Sequence, residues 1–108
     1  MISADDFLKV EMRVGKILSA ENIEGSEKLI KLSVSFGEEN PRQALSGIKK
    51  YFPDPTVLIG RKFGFVTNME PRQMMNMESQ AMILAASTDE KLALFEVSDG
   101  IPEGTKIK

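Results

Sequence analysis

Cysteine and histidine are both missing from this chain of 108 residues. Without cysteine there is no disulfide framework, no thiol nucleophile and no thiolate metal site. Without histidine the commonest general base and imidazole metal ligand are gone. No apolar run approaches the roughly 20 residues that span a bilayer, and the stretch from Met1 to Asp6 lacks the basic start and apolar core of a leader. A cytoplasmic chain with no membrane partner is the expectation. The eight glycines scatter among turns and form no phosphate-cradling or dinucleotide-binding pattern. Ser46 and Ser79 have no suitably spaced base. The acidic pairs Asp5-Asp6 and Glu38-Glu39 fall in a helix start and a turn, where solvated carboxylates are ordinary. No catalysis, cofactor or metal is expected.

Strong positive charge is absent too. The formal net charge is −2, against the basic balance expected of a general nucleic-acid binder. The distribution is uneven, however. Residues 9–72 carry eleven Lys/Arg against eight Asp/Glu, whereas residues 73–108 carry three against six. One basic and one acidic face are therefore permitted, which suits a salt-sensitive contact with RNA as well as an ordinary solvated surface.

What is present is a series of short strands in one domain, residues 1–108. Ser3 with Asp5 and Asp6 predicts a capped helical turn ahead of Phe7-Leu8. Val10, Met12 and Val14 alternate with polar residues, Gly15 breaks the phase, and Ile17 resumes on the other parity. A glycine so placed marks a bend or bulge. Ile30, Leu32, Val34 and Phe36 predict the cleanest half-buried strand. The turn Gly37–Pro41 leads to a hairpin partner at Arg42–Ser46. Two prolines, Pro53 and Pro55, interrupt the next segment and leave room for a single helical turn before Gly60. Alternation returns from Lys62 to Thr67, and the last main strands are expected at Ala81–Ala86 and Leu92–Val97. Residues 99–104 read as terminal turns. This pattern predicts an all-β fold, a five-stranded Greek-key OB-fold barrel with short helical turns and extra terminal strands, although periodicity alone does not separate it from an SH3-like barrel.

Five of the seven methionines fall between Met69 and Met82. Filling gaps in a core is the commonest use of methionine. Here the window also reads Asn68-x-x-Pro71-Arg72, six residues, then Ser79-x-x-Met82-x-Leu84-Ala85-Ala86. Upstream stand Asp6-Phe7-x-Lys9-Val10-x-x-Arg13-Val14-Gly15-Lys16-Ile17, Glu24-Gly25-Ser26-x-Lys28-Leu29, Ser46-Gly47-Ile48, and Tyr51-x-Pro53-Asp54-Pro55 with Leu58-Ile59-Gly60-Arg61. Together these motifs resemble the tRNA-binding domain family: the C-terminal module of bacterial methionyl-tRNA synthetases and small freestanding dimeric relatives. The resemblance runs from about Asp6 to Lys108.

The resemblance implies an OB-fold that binds tRNA by shape, largely without sequence preference and without catalysis. It also implies a homodimer formed through segments outside the barrel, and a possible partnership with the synthetase catalytic domain. Lys28, Lys31 and Arg42 are then candidates for phosphate contacts. Ser46 is a further tRNA-binding candidate, Asn68 and Ser79 are candidates for hydrogen bonds to base edges or 2′-hydroxyls, Arg72 for a phosphate or stacked base, and Met82 for an apolar platform. Gln73, Asn76 and Ala81 depart from the family pattern, where a basic residue, a glycine and a glycine are usual. A peptide-binding secretion chaperone of the CsaA type, built on the same fold, is the alternative reading; there the methionines would form an adaptable groove.

Overall fold

The computed structural model describes residues 1–108. Helix α1, Ala4–Phe7, is a single turn whose cap forms as the sequence suggests: Ser3 Oγ accepts the Asp6 N–H at 3.1 Å. The chain then enters β1, Met12–Asn22, a strand long enough to serve two neighbours. Its first half pairs antiparallel with β4, Lys62–Val66; its second half pairs with β2, Ile30–Ser35. The register slips between Ile17 and Ser19, leaving Leu18 exposed as the extra residue of a bulge.

The phase break at Gly15 has a steric cause. A Cβ there would lie 2.6 Å from Val34 Cγ1, 2.7 Å from Phe36 Cε1 and 2.7 Å from Phe65 Cδ1. Only glycine lets β1 pass this close to the aromatic centre of the barrel. Phe36 and Phe65 meet there edge to face, centroids 5.3 Å apart.

β2 keeps the alternation read from its sequence, with Ile30, Leu32 and Val34 fully buried. The turn after Phe36 returns the chain in β3, Arg42–Ser46, paired with β2 from Ile30↔Ser46 to Val34↔Arg42. A 3-10 turn at Pro55–Leu58 follows, capped by Asp54 and closed by Gly60 at φ 85°. It plugs the barrel end with buried Leu58. β4 differs from the predicted alternation, because all five of its residues are buried. Lys62 is accommodated because its Nζ donates to the carbonyls of Asp99 (2.7 Å) and Ile101 (2.8 Å).

The predicted strand Ala81–Ala86 is broken into β7, Met82–Ile83, and β8, Ala85–Ser87. The predicted strand Leu92–Val97 is likewise broken into β9, Leu92–Leu94, and β10, Glu96–Val97. Both breaks face Gly64. Its carbonyl accepts from the Leu84 N–H and its N–H donates to Phe95, each at 3.0 Å. β7 thus covers the C-terminal half of the β4 edge, β10 covers the N-terminal half, and the β8–β9 hairpin projects from between them. Three strands were not predicted at their positions. β5, Arg72–Met74, and β6, Met77–Ser79, form a small hairpin in the methionine window. β11, Lys106–Ile107, pairs with the start of β1.

The main ladder runs β10-β4-β1-β2-β3, with β7 beside β4. Closure between β3 and the β6–β7 segment relies heavily on side chains. The Gln80 N–H donates to Gln43 O at 2.7 Å. In return the Gln43 N–H donates to Gln80 Oε1 at 2.9 Å and the Leu45 N–H to Ser79 Oγ at 3.0 Å. The result is a nearly closed, OB-fold-like barrel around a core that includes Ile17, Leu32, Val34, Phe63, Phe65 and Ile83. No helix is long and apolar enough to cross a membrane.

Candidate nucleic-acid interface

The β5–β6 hairpin sets the geometry of the methionine window. Met74 and Met77 are its last paired residues, so Met75 and Asn76 alone make the turn, at φ 50° and 62°. Two successive left-handed residues match a type I′ turn, the form that suits the twist of a two-residue hairpin. Asparagine tolerates this region, which accounts for Asn76 at a position where glycine is usual; Met75 is the strained member. The hairpin arm places Arg72 opposite Ser79. A shallow groove opens where the hairpin meets the barrel, lined by Leu45, Met69, Arg72, Met74, Ser79 and Met82 among others.

Arg72 and Met82 are both exposed in this groove, and the Arg72 guanidinium makes no hydrogen bond or ion pair within the chain. Glu70 and Gln80 share the rim. Met74 also lines a second depression, formed by residues 25–29 and Gly47. Lys28 stands there exposed and without an anionic partner, and half-buried Ser46 precedes Gly47. The two depressions share Met74, which lines both the groove of Arg72 and the depression of Lys28. Lys31 lies on β2, between Glu21 of β1 and Leu45 of β3; its Nζ sits 3.4 Å from Glu21. An exposed pair of this kind is weak and screened by salt, leaving the ammonium available to a phosphate.

Three other candidates are tied to groups of the chain itself. The Asn68 amide clasps the N-terminal segment, accepting the Glu11 N–H at 2.8 Å and donating to Lys9 O at 2.7 Å. Ser79 is buried; its hydroxyl accepts from Leu45 and donates to Ala81 O at 3.2 Å. Arg42 forks onto Glu38 (2.9 and 2.8 Å), donates to Thr67 O at 2.7 Å and lies over the Phe36 ring. Apart from the local contacts with Phe36, Glu38 and Ala81, these bonds join residues 25 to 59 positions apart, and sequence reading has no means of detecting such partners.

The electrostatics of the carboxylates follow from these ties. The Thr67 hydroxyl, and then Arg13, hold Glu11 below its ordinary value, while Arg42 does the same for Glu38. Each hydrogen bond favours the charged form of the carboxylate. Nowhere do three or more acidic side chains gather in a way that would hold a metal ion.

A family model described as "Putative tRNA binding domain" matches residues 12–106. A methionine–tRNA ligase from Caldanaerobacter subterraneus subsp. tengcongensis is 49% identical over 106 residues, which is 98% of this chain and 16% of the ligase. The chain thus spans about a sixth of the length of the curated relatives it matches, and the match falls on their C-terminal region rather than their catalytic part. Among solved structures, a MetRS-related protein from Pyrococcus horikoshii superposes with a TM-score of 0.92 at 38% identity, covering 100% of this chain and 98% of that one. The chaperone CsaA from Bacillus anthracis superposes with a TM-score of 0.87 at 28% identity, covering 100% and 99%.

Proposed function

The chain belongs to the tRNA-binding domain family, which is non-catalytic, and from that premise we propose that it grips the tRNA backbone largely without regard to sequence. The observation that carries this reading is the unpartnered Arg72 beside exposed Met82, in a groove that shares Met74 with the depression of Lys28. Lys28, Lys31 and Arg72 meet phosphates, Ser46 offers a short hydrogen-bonding group, and Met82 gives an unstacked base an apolar face. Arg42, Asn68 and Ser79 hold the scaffold in shape. In a synthetase such a module adds contacts to the same tRNA, and tethering makes even a weak contact count.

We further propose that two copies pair through the chain ends. Phe7, Leu8, Val10, Met12 and Ile107 line an apolar groove against β11, and Leu8 is 73% exposed. Leu8→Asp should leave the barrel folded and yield monomers in sedimentation; a persistent dimer would move the interface elsewhere.

Binding of mixed tRNA across a salt series tests the main reading. Each phosphate contact contributes roughly −0.7 to −0.9 to the log–log slope. Three cations therefore predict about −2 to −3 per chain, and roughly twice that if paired chains share one tRNA. Arg72→Ala should weaken binding of all tRNAs similarly and reduce the slope by about one per chain. Failure to bind at low salt would sink the proposal. The CsaA likeness and the exposed methionines favour one second reading, a peptide-binding groove. Its mark would be binding of unfolded polypeptide that persists at high salt and resists tRNA competition.

A further inference from the structure

The tRNA reading leaves the number and exposure of the methionines unexplained, and one methionine platform would suffice for it. Met69, Met75 and Met82 are 51%, 48% and 41% exposed, and all lie on or beside the β5–β6 hairpin. Met69 and Met82 line the Arg72 groove, while Met75 at the hairpin tip approaches Gly25 at the neighbouring depression. Met74 and Met77, the last paired residues of the hairpin, are half-buried. The chain has no cysteine and no tryptophan, so the exposed thioethers, those of Met69, Met75 and Met82 together with Met1, are its most readily oxidised accessible groups. An exposed Met75 in a left-handed turn is an awkward choice if apolar bulk alone were wanted.

We propose that Met69, Met75 and Met82 form an oxidisable rim whose conversion to sulfoxide by a hydroperoxide lowers tRNA affinity reversibly. This inference rests on the tRNA reading above. In the chemical step, the sulfur lone pair attacks the terminal oxygen of the hydroperoxide and the O–O bond breaks. An S–O bond forms, and the remaining oxygen takes up the proton and leaves as water or an alcohol. Sulfur loses two electrons and the peroxide gains them. The product is a polar, chiral side chain that no longer offers a base an apolar face and directs a partly negative oxygen at the RNA. Sulfoxide reductases of the two epimer specificities reverse the change.

Met1, fully exposed at the chain end and outside the groove, is an internal comparator. The test treats the folded protein with graded hydrogen peroxide and locates sulfoxides by peptide mass spectrometry. Circular dichroism confirms that the fold is kept, and tRNA binding is measured at fixed salt. The expected result is a loss of about fivefold or more in affinity that tracks oxidation of residues 69, 75 and 82 rather than residue 1. A mixture of both sulfoxide reductases should restore it. The Met69→Leu, Met75→Leu, Met82→Leu variant, compared with its own untreated form, should lose little on treatment. Unchanged affinity in fully oxidised protein, or a loss that the variant shares, overturns the inference while leaving the tRNA reading intact. Untreated protein that binds no tRNA would instead overturn the functional reading, and this inference with it.

Discussion

Replacing Ser79 with alanine separates a structural role from a role in binding RNA. Ser79 is 6% exposed, and its Oγ is the acceptor for the Leu45 N–H at 3.0 Å. Leu45 is itself buried, and no backbone carbonyl takes that proton: the β3 ladder to β2 uses the opposite edge of the strand, while this edge faces β6. Alanine would leave a buried amide without an acceptor and cut one of the four bonds of 3.0 Å or less across the seam. An orphaned buried donor costs about 1–3 kcal/mol. In a domain of this size each kcal/mol lowers Tm by roughly 4–8 °C, so a fall of about 8–15 °C is expected for a mid-range cost. Thermal unfolding followed by circular dichroism measures it, and hydrogen exchange should show the Leu45 amide losing protection. Binding of tRNA at a temperature well below the lowered Tm should stay within about twofold of the unaltered protein. An unchanged Tm together with a tenfold loss of tRNA affinity would refute the argument and make Ser79 an RNA contact.

Further predictions concern the core and the acid limb of stability. Gly15→Ala forces a methyl group to within 2.6–2.7 Å of Val34, Phe36 and Phe65, and overpacking of this kind costs about 1–3 kcal/mol, readable in urea unfolding as a lower midpoint. A midpoint equal to that of the unaltered chain would mean that β1 is free to shift. Glu11 and Glu38 have folded-state values depressed below 4.5, so the stability they contribute is complete above about pH 4.5 and is lost as the pH falls through their lower values. Glu11→Gln should flatten that acid limb, and an unaltered limb in unfolding curves between about pH 5 and 2 would show that Thr67 and Arg13 do not hold the charged form.

How far the molecule could be read from its sequence depended on how local each cause was. The alternation Ile30, Leu32, Val34, Phe36 and the turn at residues 37–41 are local, and the hairpin stands where the pattern puts it. The Ser3 cap and the proline-bounded turn before Gly60 were legible for the same reason. The β5–β6 hairpin was not: its arms are three residues long, and Met75-Asn76 lacks the usual Asn-Gly signal of a two-residue turn. Extra terminal strands were expected, but the position of β11 was not legible, because nothing in its residues suggests a strand and pairing with β1 makes it one. The breaks at Leu84 and Phe95 depend on sharing one strand edge around Gly64, a purely tertiary matter. Among the candidate binding residues, the motif located the right region. It could not distinguish Arg72, which is unpartnered, from Arg42, whose guanidinium donates to the Glu38 carboxylate and to the Thr67 carbonyl. Asn68 and Ser79 look like exposed turn residues in sequence, and only their distant partners reveal them as ties.

The double allegiance of β1 governs when this protein can come into being. Its first half pairs with residues 62–66 and its opening pair also with residues 106 and 107. During synthesis the stretch from Met12 to Gly15 therefore waits for partners made some fifty and, for Met12 and Arg13, also more than ninety residues later. Until then only the β1–β2–β3 meander can assemble, with Val34 and Phe36 uncovered on the side that Phe65 will occupy. Closure is a late event that draws on contacts distant along the chain, which makes for slow folding. A fragment ending before residue 66 is left with an open apolar sheet, so the barrel forms only once most of the chain has been released.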